Sequence, residues 1–316
     1  MQSRENKINI DELLNSIGEV SQVLGDKGRY VLNVAPIHNA GSESVTFCNE
    51  KTEKGLQMIR NSNAGVIICH ADLQFAEDDY MERTLILVSR PRTAFIRIMK
   101  RFFREEPVKF GISPTAIIER KAEIHPHVYI GPHCYIGRCK IGEDTIIHGN
   151  NYIYSNTEIG KNVIVQMGTV IGVEGVMTRR NAEGEVERFP QIGGVIIEDN
   201  VWIGSSTNIQ RGTMGNTIIH QGTTIGHLCN IGHDVIIGSH CTIIAHVILG
   251  GAIRIGDYTQ VSMGARIRPK IEIGSKVFVG MGAVVTKNVP DGKIVFGVPA
   301  KEHGDTGQEW LYRNWD

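Results

Sequence analysis

The sequence predicts a parallel β-helix built from six-residue repeats, preceded by a small α/β domain. Aliphatic residues recur at every sixth position over two long stretches. Of the 316 residues 36 are glycine and only 6% are aromatic, a balance that favours many tight turns over a bulky core. A period of six fits neither a helix nor an alternating strand. It fits one flat side of a triangular coil, with the aliphatic side chain pointing inward.

Residues 1–110 lack this period and predict the α/β domain. We expect a helix over 10–17 opened by Asp11, buried strands over 64–69 and 84–88, and an amphipathic helix over 91–103. We set the domain boundary near residue 110 because the six-residue repeat starts just after it.

Residues 111–300 form the predicted β-helix. Three sides of six residues make a coil of 18, so residues i and i+18 should stack at about the 4.8 Å spacing of neighbouring strands. The earlier stretch of the repeat runs from Ile112 to Ile171 and slips by one residue after Ile136. The later stretch is unbroken and consists of Ile219, Ile225, Ile231, Ile237, Ile243, Leu249, Ile255, Val261, Ile267, Ile273, Val279 and Val285. Residues 301–316 are left as a C-terminal tail.

Two segments interrupt the repeat. The period is lost between Ile171 and Ile192, across a polar stretch that we expect to protrude as a loop, and a smaller surplus covers residues 210–217. A solenoid carries such insertions on its surface, where they commonly serve binding.

Composition excludes several function classes. A net charge of −1 and a pI near 6.9 give no electrostatic case for binding nucleic acid or an anionic membrane surface. No stretch approaches the roughly 18 apolar residues of a membrane span, and the N-terminus lacks the features of a signal peptide. The six cysteines are scattered and predict buried thiols rather than a zinc site or disulfides. We therefore expect a cytoplasmic protein that acts on small molecules.

Several motifs resemble the UDP-3-O-acylglucosamine N-acyltransferases of lipid A synthesis. They occupy residues 34–36, 44–49, 113–116, 189–193, 218–219, 231–238 and 250–251. The resemblance implies that the β-helix is left-handed and that the protein is a homotrimer with active sites between neighbouring subunits. It also implies that His233 is catalytic and that the first domain binds uridine, with Phe47 and Asn49 as substrate-binding residues.

Three features depart from that family. Lys270 stands where the family usually carries a second active-site histidine, and residues 50–52 lack the aromatic side chain that would sandwich uracil with Phe47. The motifs at residues 282–287, 289–292 and 297–300 resemble coenzyme A dependent sugar acetyltransferases instead. The leading hypothesis is therefore an N-acyltransferase that uses acyl-CoA on a nucleotide-linked amino sugar. The alternatives are the lipid A enzyme, which would use acyl carrier protein, and a non-catalytic trimeric scaffold.

Coil arithmetic supports the assignment of His233. Adding 18 gives Gly251 and adding 36 gives a position next to Lys270, so one edge would carry a histidine, a glycine and a lysine on successive coils. His233 would remove a proton from the attacking amine, and the Gly251 N–H, unobstructed by a side chain, would hold the oxyanion. Lys270 would meet a phosphate or carboxylate. Either Asp234 or Asn230 would orient the imidazole.

The remaining assignments concern the acyl donor and the other histidines. Four histidines lie on other sides of the triangle, and their spacing disfavours a three-histidine zinc site, so no metal is expected. They are His220, His227, His240 and His246. The residues assigned to acyl-CoA, which enters as a co-substrate, are Gly250, Gly264, Arg268, Ala283 and Lys287.

Overall fold

The computed structural model describes residues 7–103 and 109–305, which form two compact units. The first unit is an α/β domain and the second is a solenoid of short parallel strands. The solenoid confirms the fold class that the six-residue period predicts.

The α/β unit contains one five-stranded sheet and three helices. The strands are β1 (Ile8–Asn9), β2 (Gln22–Leu24), β3 (Tyr30–Val31), β4 (Asn33–Val34), β5 (Ser44–Phe47), β6 (Val66–His70) and β7 (Thr84–Val88), and the helices are α1 (Ile10–Ile17), α2 (Glu53–Arg60) and α3 (Pro91–Phe102). The sheet has the order β2-β7-β6-β5-β4, in which only β2 is antiparallel to its neighbour. A short 3₁₀ helix, Glu77–Asp79, precedes β7.

Helix α1 has the predicted bounds, but its N-cap is Asn9 and not Asp11. Asn9 is the N-cap: its side chain accepts a hydrogen bond from the Glu12 N–H at 2.9 Å, and the Glu12 carboxylate accepts one from the Asn9 N–H at 2.9 Å. This reciprocal pair satisfies two amides that have no partner inside the helix. Asp11 lies in the first turn instead, where its charge suits the helix dipole.

The solenoid has three flat faces. Face 1 consists of Gly111–Ile112, Tyr129–Ile130, Ile146–Ile147, Ile164–Val165, Trp202–Ile203, Thr224–Ile225, Thr242–Ile243, Gln260–Val261, Phe278–Val279, Lys293–Gly297 and Ala300–Asp305. Face 2 consists of Ile117–Ile118, Tyr135–Ile136, Tyr152–Ile153, Val170–Val173, Asn208–Gln210, Asn230–Ile231, Ile248–Leu249, Arg266–Ile267 and Val284–Val285. Face 3 consists of Glu123–Ile124, Lys140–Ile141, Thr157–Ile159, Gly194–Ile197, Asn216–Ile219, Ile236–Ile237, Arg254–Ile255 and Glu272–Ile273.

The predicted stacking of residues 18 apart is confirmed where the repeat is unbroken. Ile219 pairs with Ile237 and Ile237 with Ile255, and their side chains are buried in the interior. The slip after Ile136 shortens one coil, so that Ile124 pairs with Ile141. Each strand is short because a turn follows at every edge of the triangle.

Threonine and cysteine side chains line the inner corners. The Thr223 hydroxyl donates to the Gly238 carbonyl oxygen at 2.7 Å, and Cys241 makes the equivalent contact from its sulfur to Gly256 at 3.1 Å. All six cysteines are buried and unpaired, as the sequence predicts. Burial raises the pKa of Cys241 to about 12, which keeps the thiol protonated and unreactive.

Both insertions leave the solenoid at the edge between faces 2 and 3, which we call the 2–3 edge. The first contains an antiparallel hairpin, Thr178–Arg180 with Val186–Arg188, and returns at Gly194–Ile197. The second lies on the next coil, where it leaves after Asn208–Gln210 and returns at Asn216–Ile219. The turn on the next coil of this edge contains His233.

An antiparallel hairpin ends the described part of the solenoid. It joins Lys293–Gly297 to Ala300–Asp305, with the Lys293 ammonium within 2.7 Å of Asp305 and 3.2 Å of Glu302. The second strand extends into the segment 301–316 that the sequence analysis treats as a tail. Residues 306–316 lie outside the described residues.

Candidate functional site

His233 lies on the 2–3 edge, in the turn between Asn230–Ile231 and Ile236–Ile237. Its side chain is only 21% exposed, and its Nδ1 lies 2.8 Å from Asp234 Oδ2. A carboxylate accepts hydrogen bonds, so Nδ1 carries the proton and Nε2 keeps a free lone pair. The imidazole is thereby arranged as a base through Nε2.

Asp234 is held by three donors. The Thr213 N–H donates to Oδ1 at 2.8 Å, and the Thr213 hydroxyl and His233 Nδ1–H both donate to Oδ2 at 2.8 Å. Burial alone would raise the pKa of Asp234, but the hydrogen bonds from His233 and Thr213 outweigh burial and lower it. The carboxylate is therefore ionised at neutral pH and can stabilise an imidazolium.

The structure decides which residue orients the imidazole. Asn230 lies on face 2, where its side-chain oxygen accepts a hydrogen bond from the Asn208 amide at 2.9 Å. The contact to the imidazole comes from Asp234. Asp234 has a φ of 58°, a left-handed conformation that aspartate tolerates better than most residues.

Gly251 lies directly over the imidazole, one coil further along. A Cβ at this position would be 2.4 Å from His233 Nε2, so only glycine leaves room for the ring. The Ala252 N–H donates to the His233 carbonyl at 2.8 Å and the Lys270 N–H to the Gly251 carbonyl at 2.9 Å, which fixes the three turns in register. Within the described residues the Gly251 N–H has no hydrogen-bond partner, so it is available to a ligand.

Five cations surround this edge on the coils beyond His233, and we call them the basic cluster. Arg254 lies on face 3 and Arg266 on face 2, while three lie in turns of the 2–3 edge. The members are Arg254, Arg266, Arg268, Lys270 and Lys287, all exposed. Over residues 7–103 and 109–305 none of them forms an ion pair. Glu272 stands beside Arg254 on the next strand of face 3, and the five cations leave the patch with a net positive charge that favours anionic ligands.

The structure separates two of the predicted donor-binding residues from the others. Gly250 packs against Pro269 on the 2–3 edge, beside Gly251. Gly264 lies on the edge between faces 1 and 2, with φ at 72°. Ala283 is fully buried, and its side chain points into the core. The assignment of Ala283 is therefore corrected, because a side chain in the solenoid interior cannot contact a donor.

Phe47 and Asn49 lie at the carboxyl end of strand β5 in the first unit. The Phe47 ring is half-buried and packs on Phe95 with ring centres 4.8 Å apart. The Asn49 carbonyl oxygen lies 3.0 Å from Nε2 of the buried His70, whose pKa is lowered mainly because burial disfavours the charged form. The carboxyl ends of parallel strands are the usual ligand-binding edge of such a sheet. The role of Phe47 in holding uracil stays a prediction.

Three of the other four histidines of the run have local partners, and all four lie away from the 2–3 edge. His220 Nδ1 lies 2.9 Å from Glu198 Oε1, His227 Nδ1 accepts the Ser205 N–H at 2.9 Å, and His240 stacks on Tyr258. In the described part of the chain, no three histidine, cysteine, aspartate or glutamate side chains cluster as a metal site would require. Gly222 packs on the His240 ring as Gly251 does on the His233 ring, but His233 alone among the five combines a glycine at Nε2 with a carboxylate at Nδ1.

Sequence reasoning missed the contribution of the second insertion. Three of its residues contact His233 or Asp234. Thr213 binds the Asp234 carboxylate, as described above. Gln210 Oε1 accepts the His233 N–H at 3.2 Å, and Thr217 Oγ1 accepts the Asp234 N–H at 3.0 Å. The surplus of residues over 210–217 was the available signal. Coil arithmetic could not follow a segment that departs from the repeat.

Comparison with known proteins identifies the family. Residues 29–101 match the family model described as UDP-3-O-(3-hydroxymyristoyl) glucosamine N-acyltransferase, LpxD, and residues 138–172 match the bacterial transferase hexapeptide model. The UDP-3-O-acylglucosamine N-acyltransferase of Pseudomonas paraeruginosa is 32% identical over 86% of this chain and 80% of its own length. The enzyme of the same name from Rhizobium meliloti is 31% identical over 94% of this chain and 90% of its own length.

Solved structures of similar fold are acyltransferases as well. The UDP-N-acetylglucosamine O-acyltransferase of Moraxella catarrhalis superposes with a TM-score of 0.59 at 25% identity, covering 65% of this chain and 78% of that one. The UDP-N-acetylglucosamine acyltransferase of Bacteroides fragilis gives 0.56 at 27% identity, covering 62% and 74%. The β-helix is left-handed, as the resemblance implied.

These relatives correct the leading hypothesis. The C-terminal motifs that resemble coenzyme A dependent enzymes had favoured acyl-CoA and a different sugar, whereas the relatives that span most of the chain support the lipid A alternative. In the structure those motifs build the last coil and its hairpin, with Val285 and Val289 in the core and Lys287 exposed. The prediction of an acyltransferase is confirmed. No helix within the described ranges has the length and apolarity to cross a bilayer. The chain belongs to the UDP-3-O-acylglucosamine N-acyltransferase family.

Proposed function

We propose that the protein transfers an acyl group from an acyl carrier protein thioester to the amine of UDP-3-O-acylglucosamine, with His233 as general base. The observation that carries the proposal is the geometry of the 2–3 edge. There the His233 Nδ1–H donates to the Asp234 carboxylate, and Nε2 faces the backbone of Gly251.

The proposed reaction follows from these groups. The amine nitrogen attacks the thioester carbonyl carbon while His233 Nε2 removes a proton from that nitrogen. The Gly251 N–H donates to the developing oxyanion. The carbon–sulfur bond then breaks, and the imidazolium returns its proton to the leaving thiolate. A positioned base of this kind typically contributes about 10² to 10⁴-fold to the rate.

The basic cluster supports a carrier protein as the donor. Its cations extend over faces 2 and 3 as well as the edge, so they present a positive surface on three sides of the site. An acidic carrier that docks there would deliver the thioester at the end of its phosphopantetheine arm, along the edge toward His233. Charge complementarity would speed the encounter and orient the carrier. Arg268 and Lys287, first assigned to acyl-CoA, become carrier contacts in this proposal.

The nucleotide is proposed to bind in the first unit. Phe47 presents a half-buried ring and Asn49 a side chain at the carboxyl edge of the parallel sheet. Uracil would stack on Phe47 without the second aromatic residue, since residues 50–52 are Glu, Lys and Thr. In the second unit, Lys270 would meet a phosphate or carboxylate at the 2–3 edge.

We also propose a homotrimer in the cytoplasm. Exposed apolar side chains recur along the edge between faces 1 and 2, where a second copy would cover them. They are Met167, Leu228, Met263 and Met281. Sedimentation should give three times the chain mass, and a stable monomer at working concentration would contradict this part of the proposal.

The decisive experiment offers the enzyme UDP-3-O-acylglucosamine with either an acyl carrier protein thioester or the same acyl group on coenzyme A, and follows amide formation. We expect turnover with the carrier and much weaker turnover with coenzyme A. UDP-N-acetylglucosamine, whose nitrogen is already acylated, is the matched control and should give none. Absence of amide with both donors would refute the proposed function.

A further inference from the structure

The segment between Asn208–Gln210 and Asn216–Ile219 makes its coil longer than its neighbours. Asn208 pairs with Asn230 across 22 positions, whereas Asn230 pairs with Ile248 across 18. The four extra residues lie directly under the turn that contains His233. A loop in this position serves either to fill space or to hold the reacting groups.

The contacts of Thr213 favour the second role. One residue binds both oxygens of one carboxylate: its N–H holds Asp234 Oδ1 and its hydroxyl holds Oδ2, each at 2.8 Å. Hydrogen bonds to a charged acceptor are stronger than neutral ones. With both oxygens held, the carboxylate plane cannot rotate, and Oδ2 stays opposite His233 Nδ1.

The loop is shaped for this approach. A Cβ on Gly212 would lie 2.9 Å from Asp234 Oδ1 and 2.4 Å from the Gly215 carbonyl oxygen, so glycine lets the Thr213 amide come close to the carboxylate. The two ends of the loop bind the same pair, since Gln210 accepts the His233 N–H and Thr217 the Asp234 N–H. Four hydrogen bonds therefore converge from the loop on two consecutive residues.

We propose that Thr213 is a positioning residue, which locks the Asp234 carboxylate and thereby fixes His233 in the tautomer that leaves Nε2 free for catalysis. The inference rests on the proposed function, because it takes His233 as the base. Thr213 acts through Asp234 and touches no substrate.

The first test is a double-mutant cycle. Thr213→Val keeps the shape and the backbone N–H but removes the hydroxyl, and should lower kcat roughly tenfold with KM little changed. Thr213→Ser restores a hydroxyl and should recover most of the rate. In an Asp234→Asn background, Thr213→Val should cost nothing further, because the carboxylate it orients is gone. Thr242→Val, an exposed threonine on face 1, is the matched control.

The second test needs no substrate. Diethyl pyrocarbonate acylates a free imidazole nitrogen, and its rate at each histidine can be followed by mass spectrometry. Thr213→Val should slow modification of His233 several-fold and leave exposed His240 unchanged in the same sample. Full kcat in Thr213→Val, or losses that multiply with Asp234→Asn, would overturn the inference. If the wild type forms no amide, the proposed function fails, while an unaltered His233 modification rate would separately refute the role of Thr213.

Discussion

The described part of the solenoid contains three histidine–carboxylate pairs, His233 with Asp234, His220 with Glu198 and His127 with Asp144, and only the first is built into a site. The first and second have nearly the same geometry. His233 with Asp234 and His220 with Glu198 have nearly equal Nδ1 to oxygen distances, 2.8 and 2.9 Å. Each carboxylate also accepts a backbone N–H, from Thr213 and from Gln221. The first pair is 21% and 26% exposed and the second 36% and 40%.

The difference lies in what surrounds each ring. The His233 ring packs directly on the backbone of Gly251, and unpaired cations follow on the next coils. Among the described glycines, none would place a Cβ against the His220 ring. An imidazole with a carboxylate is therefore not itself a site. The open backbone above the ring and the charge beyond it distinguish the two.

Removing each imidazole gives the largest expected contrast. His233→Ala should lower kcat by roughly a hundredfold or more with little change in KM, because the general base is lost. His220→Ala should leave kcat within about twofold, since this ring holds only Glu198. Steady-state kinetics with both variants would measure the contrast. Near-normal kcat in His233→Ala would show that the comparison favours the wrong pair.

Adding a methyl group at position 251, against the His233 ring, should have the next largest effect on kcat. In Gly251→Ala the new methyl group would lie 2.4 Å from Nε2, so the ring must move and kcat should fall at least tenfold. Gly41→Ala, where a Cβ meets nothing within 4 Å, is the control and should behave as the wild type. If Gly251→Ala keeps full kcat with an intact fold, the absence of a side chain at position 251 has no catalytic role.

Charge reversal in the basic cluster should affect the donor alone. Arg268→Glu should raise KM for the acyl carrier protein about tenfold, most strongly at low salt, and leave KM for the sugar nucleotide unchanged. Lys276→Glu, on the edge between faces 3 and 1, changes the net charge equally and should have little effect. Equal effects of both variants would indicate a general field instead of a docking surface.

The smallest expected effect concerns stability. The folded pKa of Asp234 is lowered, so its contribution is present above the unfolded pKa near 4 and is lost as the pH falls through the folded value. Asp234→Asn should therefore melt roughly 2–4 °C below the wild type at pH 7, with the gap closing below pH 4. Calorimetry over this range would measure it. A gap independent of pH would mean that the charge of Asp234 does not stabilise the fold.

The repeat made most of the fold predictable. An inward residue at every sixth position leaves few alternatives to a triangular coil, and the same arithmetic puts Gly251 over His233. This arithmetic fails where the chain leaves the repeat, so the contact of Thr213 with Asp234 could not be derived from the sequence. The burial of Ala283 was derivable, because the residue two positions before each inward aliphatic also faces the core, as Cys241, Val247 and Ala265 do.

The hairpin that leaves the 2–3 edge shows how such a fold accommodates an insertion. Its two ends are held together by hydrogen bonds from the Gly175 N–H to the buried Gln191 side-chain oxygen at 2.6 Å and from the Phe189 N–H to the Met177 carbonyl oxygen at 2.8 Å. Face 1 is undisturbed, since Ile164 pairs directly with Trp202 across the excursion. Lengthening a closed loop adds only slowly to its entropic cost. Natural variation can therefore change the length and sequence of turns at the 2–3 edge while the strands of the three faces keep their pairing and their buried core.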